Sequence, residues 1–170
     1  MTVMNVMNAM NAMKENEAPF EISSASMHRI LRVGSCPVLE VRITYPRLTA
    51  TEEGSIPALQ RFNETYRRVA EGMMIWAEGA PATRVEEAFL AEGEGAAYRF
   101  PRRVLTCTVS AVCDAEGDGA RALRVTRVLS FRRGRGEERV LLEDVDVWRL
   151  SSLTLREKNR KSVLFFMRQK

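Results

Sequence analysis

Apolar and polar residues alternate from Val38 to Tyr45, with Leu39, Val41, Ile43 and Tyr45 on one face and Glu40, Arg42 and Thr44 on the other. That period of two predicts a half-buried strand, and Pro46 is expected to end it. A polar loop then leads to Ser55 and Pro57, a helix entrance because proline fits the first turn. From there Leu59, Phe62, Tyr66, Val69, Ala70, Met73 and Trp76 or Ala77 recur three and four residues apart. This spacing gathers them into one stripe along a helix of about six turns. Gly79 and Pro81 are expected to stop it. Thr83 followed by Glu86 has capping-box spacing for a short second helix through Leu90.

Three strand-like segments follow, Arg103 to Cys113, Arg121 to Arg132 and Arg139 to Trp148. The turn-rich stretches 114–119 and 134–136 separate them, so they predict an antiparallel meander. Leu105, Cys107, Val109 and Ala111 share one face, as do Leu123, Val125, Leu129 and Phe131, and that side can cover the amphipathic helix. Thr154 with Glu157 predicts a last capped helix, basic through its middle and apolar from Val163 to Met167. The expected fold is α+β: an antiparallel sheet of about four strands on one long amphipathic helix, with short helices beside it.

The methionine- and asparagine-rich opening repeats a three-residue unit, and the polar stretch to Ser26 has no strand or helix period. Residues 1–27 are therefore expected to be a disordered tail, with Met27 as an alternative translation start. One domain over 28–155 and a basic helix or tail over 156–170 complete the division. The 170 residues suit a single domain, and 45% apolar with 28% charged residues is an ordinary globular balance. Segment 156–170 carries six basic residues and one acid, so the net charge of +4 belongs to it and the remainder sums to about −1. The longest apolar run, Val163 to Met167, falls far short of the roughly 18 residues of a membrane span. With no secretory pattern at the start, the cytoplasm is the expected location.

His28 is the one histidine, which removes two-histidine metal sites and is expected to sit exposed before the first strand. Cys36, Cys107 and Cys113 read as buried free thiols. Cys107 and Cys113 lie about 20 Å apart on a regular strand, so only Cys36 on a neighbouring strand has the reach to pair with either. Glu143, Asp144 and Asp146 form the densest acidic cluster. The strand period puts Asp144 and Asp146 on one face, where a divalent cation or, preferentially, an arginine such as Arg124 can sit. Arg132, Arg133 and Arg135 make a cationic hairpin tip that, with the basic C-terminus, can contact phosphates. The chain has neither a phosphate-cradling loop nor a dinucleotide-binding glycine motif, and no aromatic platform for RNA. No catalytic residue, cofactor or metal site is assigned.

The segments Ile43-Thr44-Tyr45-Pro46-Arg47-Leu48, Arg61-Phe62-Asn63-Glu64-Thr65-Tyr66, Leu105-Thr106-Cys107-Thr108-Val109 and Asp146-Val147-Trp148-Arg149-Leu150 occur in this order. In this they resemble a family of domains of unknown function. Its members occur in the extracellular region of the RsiV anti-sigma factor, beside the peptidoglycan deacetylase PdaC, and as small stand-alone proteins in clostridia. The likeness spans roughly residues 38 to 155. It implies a strand, a long helix and an antiparallel sheet. It also implies a binding or sensing module, since a related region of RsiV recognises lysozyme. The chain departs from the family at residues 132–138, where members commonly have a glycine-rich turn with a histidine. The expected function is thus a non-enzymatic protein- or ligand-binding module using Arg132, Arg133, Arg135, Asp144 and Asp146. A nucleic-acid-associated protein is the alternative.

Overall fold

Two long strands, β1 (Phe20–Val33) and β2 (Cys36–Ala50), open the fold as a hairpin turned at Gly34, whose φ of 61° suits glycine. The computed structural model describes residues 20–50, 57–115, 121–135, 138–142, 146–149 and 154–157. Residues 20–27, expected in a disordered tail, instead form the first half of β1, and His28 lies inside that strand rather than before it. Only Phe20 among the residues of β1 is fully buried. Among the described residues β1, first in the sheet order, has a partner on one flank only, so its pattern is too polar to read as a strand. Pro46 does not end β2, which continues to Ala50. β3 accompanies β2 only as far as Thr44, and from Tyr45 onward β2 is paired, among the described residues, to β1 alone, the edge-like setting in which a strand tolerates proline.

The helical layer comprises α1 (Pro57–Glu78), α2 (Ala80–Ala91) and a single turn, α3 (Ala96–Arg99). The stripe on α1 is the predicted one: Leu59, Phe62, Tyr66, Ala70, Met73 and Ala77 are buried, while Trp76 is half-buried at its edge. Gly79 separates the two helices. Pro81 starts α2 instead of closing α1, since α2 has its proline in the first turn. The expected Thr83 cap is absent: Thr83 Oγ1 donates back to Gly79 O at 3.1 Å as an ordinary residue of that turn.

From α3 the chain enters β3 (Arg103–Ala115), then β4 (Arg121–Arg133), β5 (Glu138–Leu142), β6 (Asp146–Arg149) and β7 (Thr154–Glu157). The sheet runs β1-β2-β3-β4-β6-β7, and β5 shares with β6 the far edge of β4. Three corrections follow. The sheet has more than the expected four strands and is mixed, because β2 and β3 are parallel and a parallel pair requires the crossover that the helices provide. The expected strand from Arg139 to Trp148 is two strands. The expected capped helix at Thr154 is β7, paired antiparallel to β6; β6 offers an open row of backbone groups, which outweighs a local capping pattern. Segment 156–170, apart from the end of β7, lies outside the described residues.

One sheet face carries Leu39, Val41, Ile43, Leu105, Cys107, Val109, Leu123, Val125 and Leu129 and packs under the helices as one core. Full burial of such side chains stabilises by roughly 1.5–3 kcal/mol each. Among the described residues no helix packs on the other face, which runs through Thr44, Thr106, Thr108 and Ser130.

Candidate functional site

Polar groups gather at three places, which differ in what they can do. The first is inside the core. Alternation along β4 turns Arg127 inward between Val125 and Leu129, and its side chain is 1% exposed. Asp146, opposite Val125 on β6, lies 3.7 Å from Arg127 Nη2 through Oδ1. Asp146 Oδ2 accepts a hydrogen bond from Tyr66 Oη at 3.0 Å, and that hydroxyl accepts one from Trp148 Nε1 at 2.7 Å. Burial first, and then the charge of Asp146, pushes the Tyr66 hydroxyl well above its ordinary range, so it stays a neutral donor. This chain of bonds ties α1 to β4 and β6 inside the aromatic cluster of Phe62, Tyr66 and Trp148, whose ring centroids lie 4.7–6.0 Å apart. Asp146 therefore meets an arginine, as expected, but Arg127 on the buried face rather than Arg124 on the exposed one. Asp144 lies outside the described residues.

The second place is on the uncovered sheet face. Glu40 keeps only 6% of its side chain exposed. Its Oε1 accepts from Arg42 Nε and His28 Nε2, each at 2.8 Å, and Arg102 Nη2 lies 3.2 Å from Oε2. The hydrogen bond from Arg42, then that from His28, holds the Glu40 carboxyl below its usual range. His28 is thus engaged by a carboxylate.

The third place is the end of the sheet near the β4–β5 connection, and here the predicted arginine cluster is divided. Arg132 falls on the uncovered face, where with Arg102, Val104, Gly134 and Arg135 it lines an open depression of ≈ 460 Å³. Arg133 is turned by the strand period to the helix side. There it joins Arg103, Arg84 and Arg139 around a groove of ≈ 280 Å³ whose floor includes Leu105, Leu129 and Phe131. Arg103 and Arg133 are direct partners across β3 and β4. Like charges so placed repel. Burial, then the charge of Arg133, lowers the affinity of Arg103 for its proton, and Glu92 opposes this. Arg103 stacks on Phe100 with its guanidinium 4.8 Å from the ring centroid, and Arg133 stands 6.0 Å over Phe131. Arg84, Arg103 and Arg139 were not singled out in the sequence. The strand parity of Arg103 and Arg133, both odd-numbered like Leu105 and Leu129, is the signal that places them on the helix side.

A wider depression of ≈ 500 Å³, lined by Tyr45, Arg47, Asn63, Glu64 and Arg67 among others, is already compensated: Glu64 pairs with Arg67 at 2.6 Å and Arg68 at 2.9 Å. The cysteines are free; Cys107 is buried with Sγ 2.8 Å from Met73 Sδ, whereas Cys36 and Cys113 are half-buried, more open than expected. Among the described residues no group of three or more His, Cys, Asp or Glu is placed to hold a metal ion, and no helix is long and apolar enough to cross a membrane.

The segments that carry the resemblance meet in the fold. Asn63 accepts from Leu48 N at 2.7 Å and donates to Leu48 O at 2.8 Å, while Tyr66, Asp146 and Trp148 form the buried chain. No protein-family model and no curated protein matches the chain. Solved structures similar to it include a DUF3298 family protein from Pseudomonas aeruginosa PAO1, at 14% identity and a TM-score of 0.33, over 81% of this chain and 54% of that one. Another is a DUF3298 family member from Bacteroides fragilis, at 10% identity and a TM-score of 0.34, over 81% of this chain and 59% of that one. The chain spans little more than half the length of either.

Proposed function

We propose that the chain is a non-enzymatic binding module whose partner, a protein or small ligand, is anionic and is engaged at the arginine-lined end of the sheet. One observation carries this reading: Arg103 and Arg133 face each other across neighbouring strands, a repulsive arrangement that a bound anion relieves. The carboxylates brought into polar clusters support the non-enzymatic part. Glu40 sits against arginine and histidine side chains that hold its carboxyl below its usual range, which suits structure better than proton transfer, and Asp146 is engaged by Arg127 and Tyr66 inside the core. A binding or sensing role is also what the resemblance to the RsiV-like domains implies, and the anionic class of ligand comes from this chain's own groove.

Retention on immobilised polyglutamate across a salt gradient tests the reading. Wild type is expected to bind at low salt, with Arg133→Ala and Arg139→Ala eluting earlier and Arg47→Ala, on a different surface, unchanged. Absence of retention, or equal shifts in all three variants, would contradict it. A second reading, nucleic-acid association, is favoured by Arg132 and Arg135 on the uncovered face. It predicts that a single-stranded oligonucleotide displaces polyglutamate and that Arg132→Ala is the damaging change.

A further inference from the structure

The groove beside Arg103 and Arg133 is apolar beneath and basic around, and the two characters together select one kind of occupant. We propose that it docks an acidic peptide segment carrying a single aromatic or aliphatic anchor residue. The anchor enters the groove, and flanking carboxylates meet the arginines. This rests on the anionic-partner reading above and deepens it by naming the partner's chemistry.

The floor argues for the anchor. Buried Leu105 and Leu129 and half-buried Phe131 line it from the sheet, and Trp76 and Val85 line it from the helical layer. At ≈ 280 Å³ the space is just below the roughly 300–1,000 Å³ of pockets that enclose drug-sized ligands. A single side chain fits it. Burying an apolar group on such a floor contributes binding that a simple polyanion cannot recover.

The rim argues for carboxylates. Arg84 comes from α2, Arg103 from β3, Arg133 from β4 and Arg139 from β5, so both the helical layer and the sheet supply cations to the groove. Cations from both layers beside an apolar floor suit carboxylates flanking an apolar anchor. Among the described residues the lining of the groove includes no acidic side chain. Guanidinium forks match carboxylates through paired hydrogen bonds, and two of the four stand over aromatic rings, Arg103 at 4.8 Å from the Phe100 centroid and Arg133 at 6.0 Å from that of Phe131. Arg102, Arg132 and Arg135 on the opposite face of the same sheet end extend the positive field that draws such a segment in.

The test uses the full chain and three labelled probes: a short Asp/Glu peptide with one central Phe, the same peptide with Gly in place of Phe, and a single-stranded oligonucleotide of equal charge. Anisotropy reads affinity, and Trp76 emission reads occupancy of the groove. The Phe peptide is expected to bind and shift the emission, with the Gly peptide at least tenfold weaker. Arg84→Ala and Arg133→Ala, both exposed and checked for folding by circular dichroism, are each expected to weaken the Phe peptide by about five- to tenfold. Equal affinity for the Gly and Phe peptides overturns the anchored segment and leaves the anionic-partner reading standing. Failure of both peptides to bind overturns both. Tighter binding of the oligonucleotide, lost in the same arginine variants, overturns the peptide assignment in favour of nucleic acid.

Discussion

Replacing one member of the Arg127–Asp146 pair removes an opposite charge that the other meets in the core. At the observed 3.7 Å and an effective dielectric constant of about 20, the gross attraction is roughly 4–5 kcal/mol. Desolvation of both ions offsets much of it, but breaking one side of a buried pair typically costs about 3–5 kcal/mol. Asp146→Asn keeps an oxygen for Tyr66 Oη and removes only the charge; Arg127→Met keeps most of the apolar stem. Each is expected to destabilise by about 3 kcal/mol in urea unfolding at neutral pH, with an unchanged denaturant slope. The double variant buries no unpaired charge and should cost at least about 2 kcal/mol less than the sum. Raising the salt concentration should leave the coupling largely intact, since a pair this buried is poorly screened. Additivity within about 0.5 kcal/mol would refute the reasoning, by showing that the two side chains do not sense each other in solution.

Glu40 predicts an acid-side loss of stability. Its folded value lies below the ordinary 4.5, so the contribution is fully present above that pH and disappears as pH falls through the lowered folded value. Glu40→Gln should be less stable near neutrality, with Arg42, Arg102 and His28 left facing one another, and should show a shallower decline in acid during pH-dependent urea melts. Asn63→Ala removes both hydrogen bonds to Leu48 and should cost about 2–3 kcal/mol, because the backbone groups of an edge-like strand segment lose their partners. Asn63→Asp, which keeps the acceptor and loses the donor, should fall between the two in the same melts.

Where residues announced their environment through local periodicity, the sequence was a good guide. The stripe on α1 lands on the core, and the alternating faces of β3 and β4 are as expected, because each is set by chain geometry alone. What escaped depended on partners distant in sequence. β1 reads as polar because its residues border solvent; Thr154–Glu157 is a strand because β6 offers it an edge; β2 and β3 are parallel because three helical segments intervene. The same division runs through the candidate site. Arg132, Arg133 and Arg135 were visible as a basic run, yet the strand period sends Arg133 to the groove and Arg132 to the opposite face. Arg84 and Arg139 join Arg133 only through packing. Arg127 was legible in hindsight of parity alone, sitting in the inward row between Val125 and Leu129, where the surrounding alternation leaves no outward option.

The groove between the helical layer and the sheet end is the proposed binding site, and shift mapping by nuclear magnetic resonance probes it most directly. Titrating the isotopically labelled chain with the acidic Phe-containing peptide should perturb Trp76 Nε1–H and the amides of Arg84, Val85, Arg103, Phe131, Arg133 and Arg139, with Thr106 and Ser130 on the uncovered face unmoved. Perturbations confined to Arg102, Thr106, Ser130 and Arg132, with Trp76 silent, would contradict it.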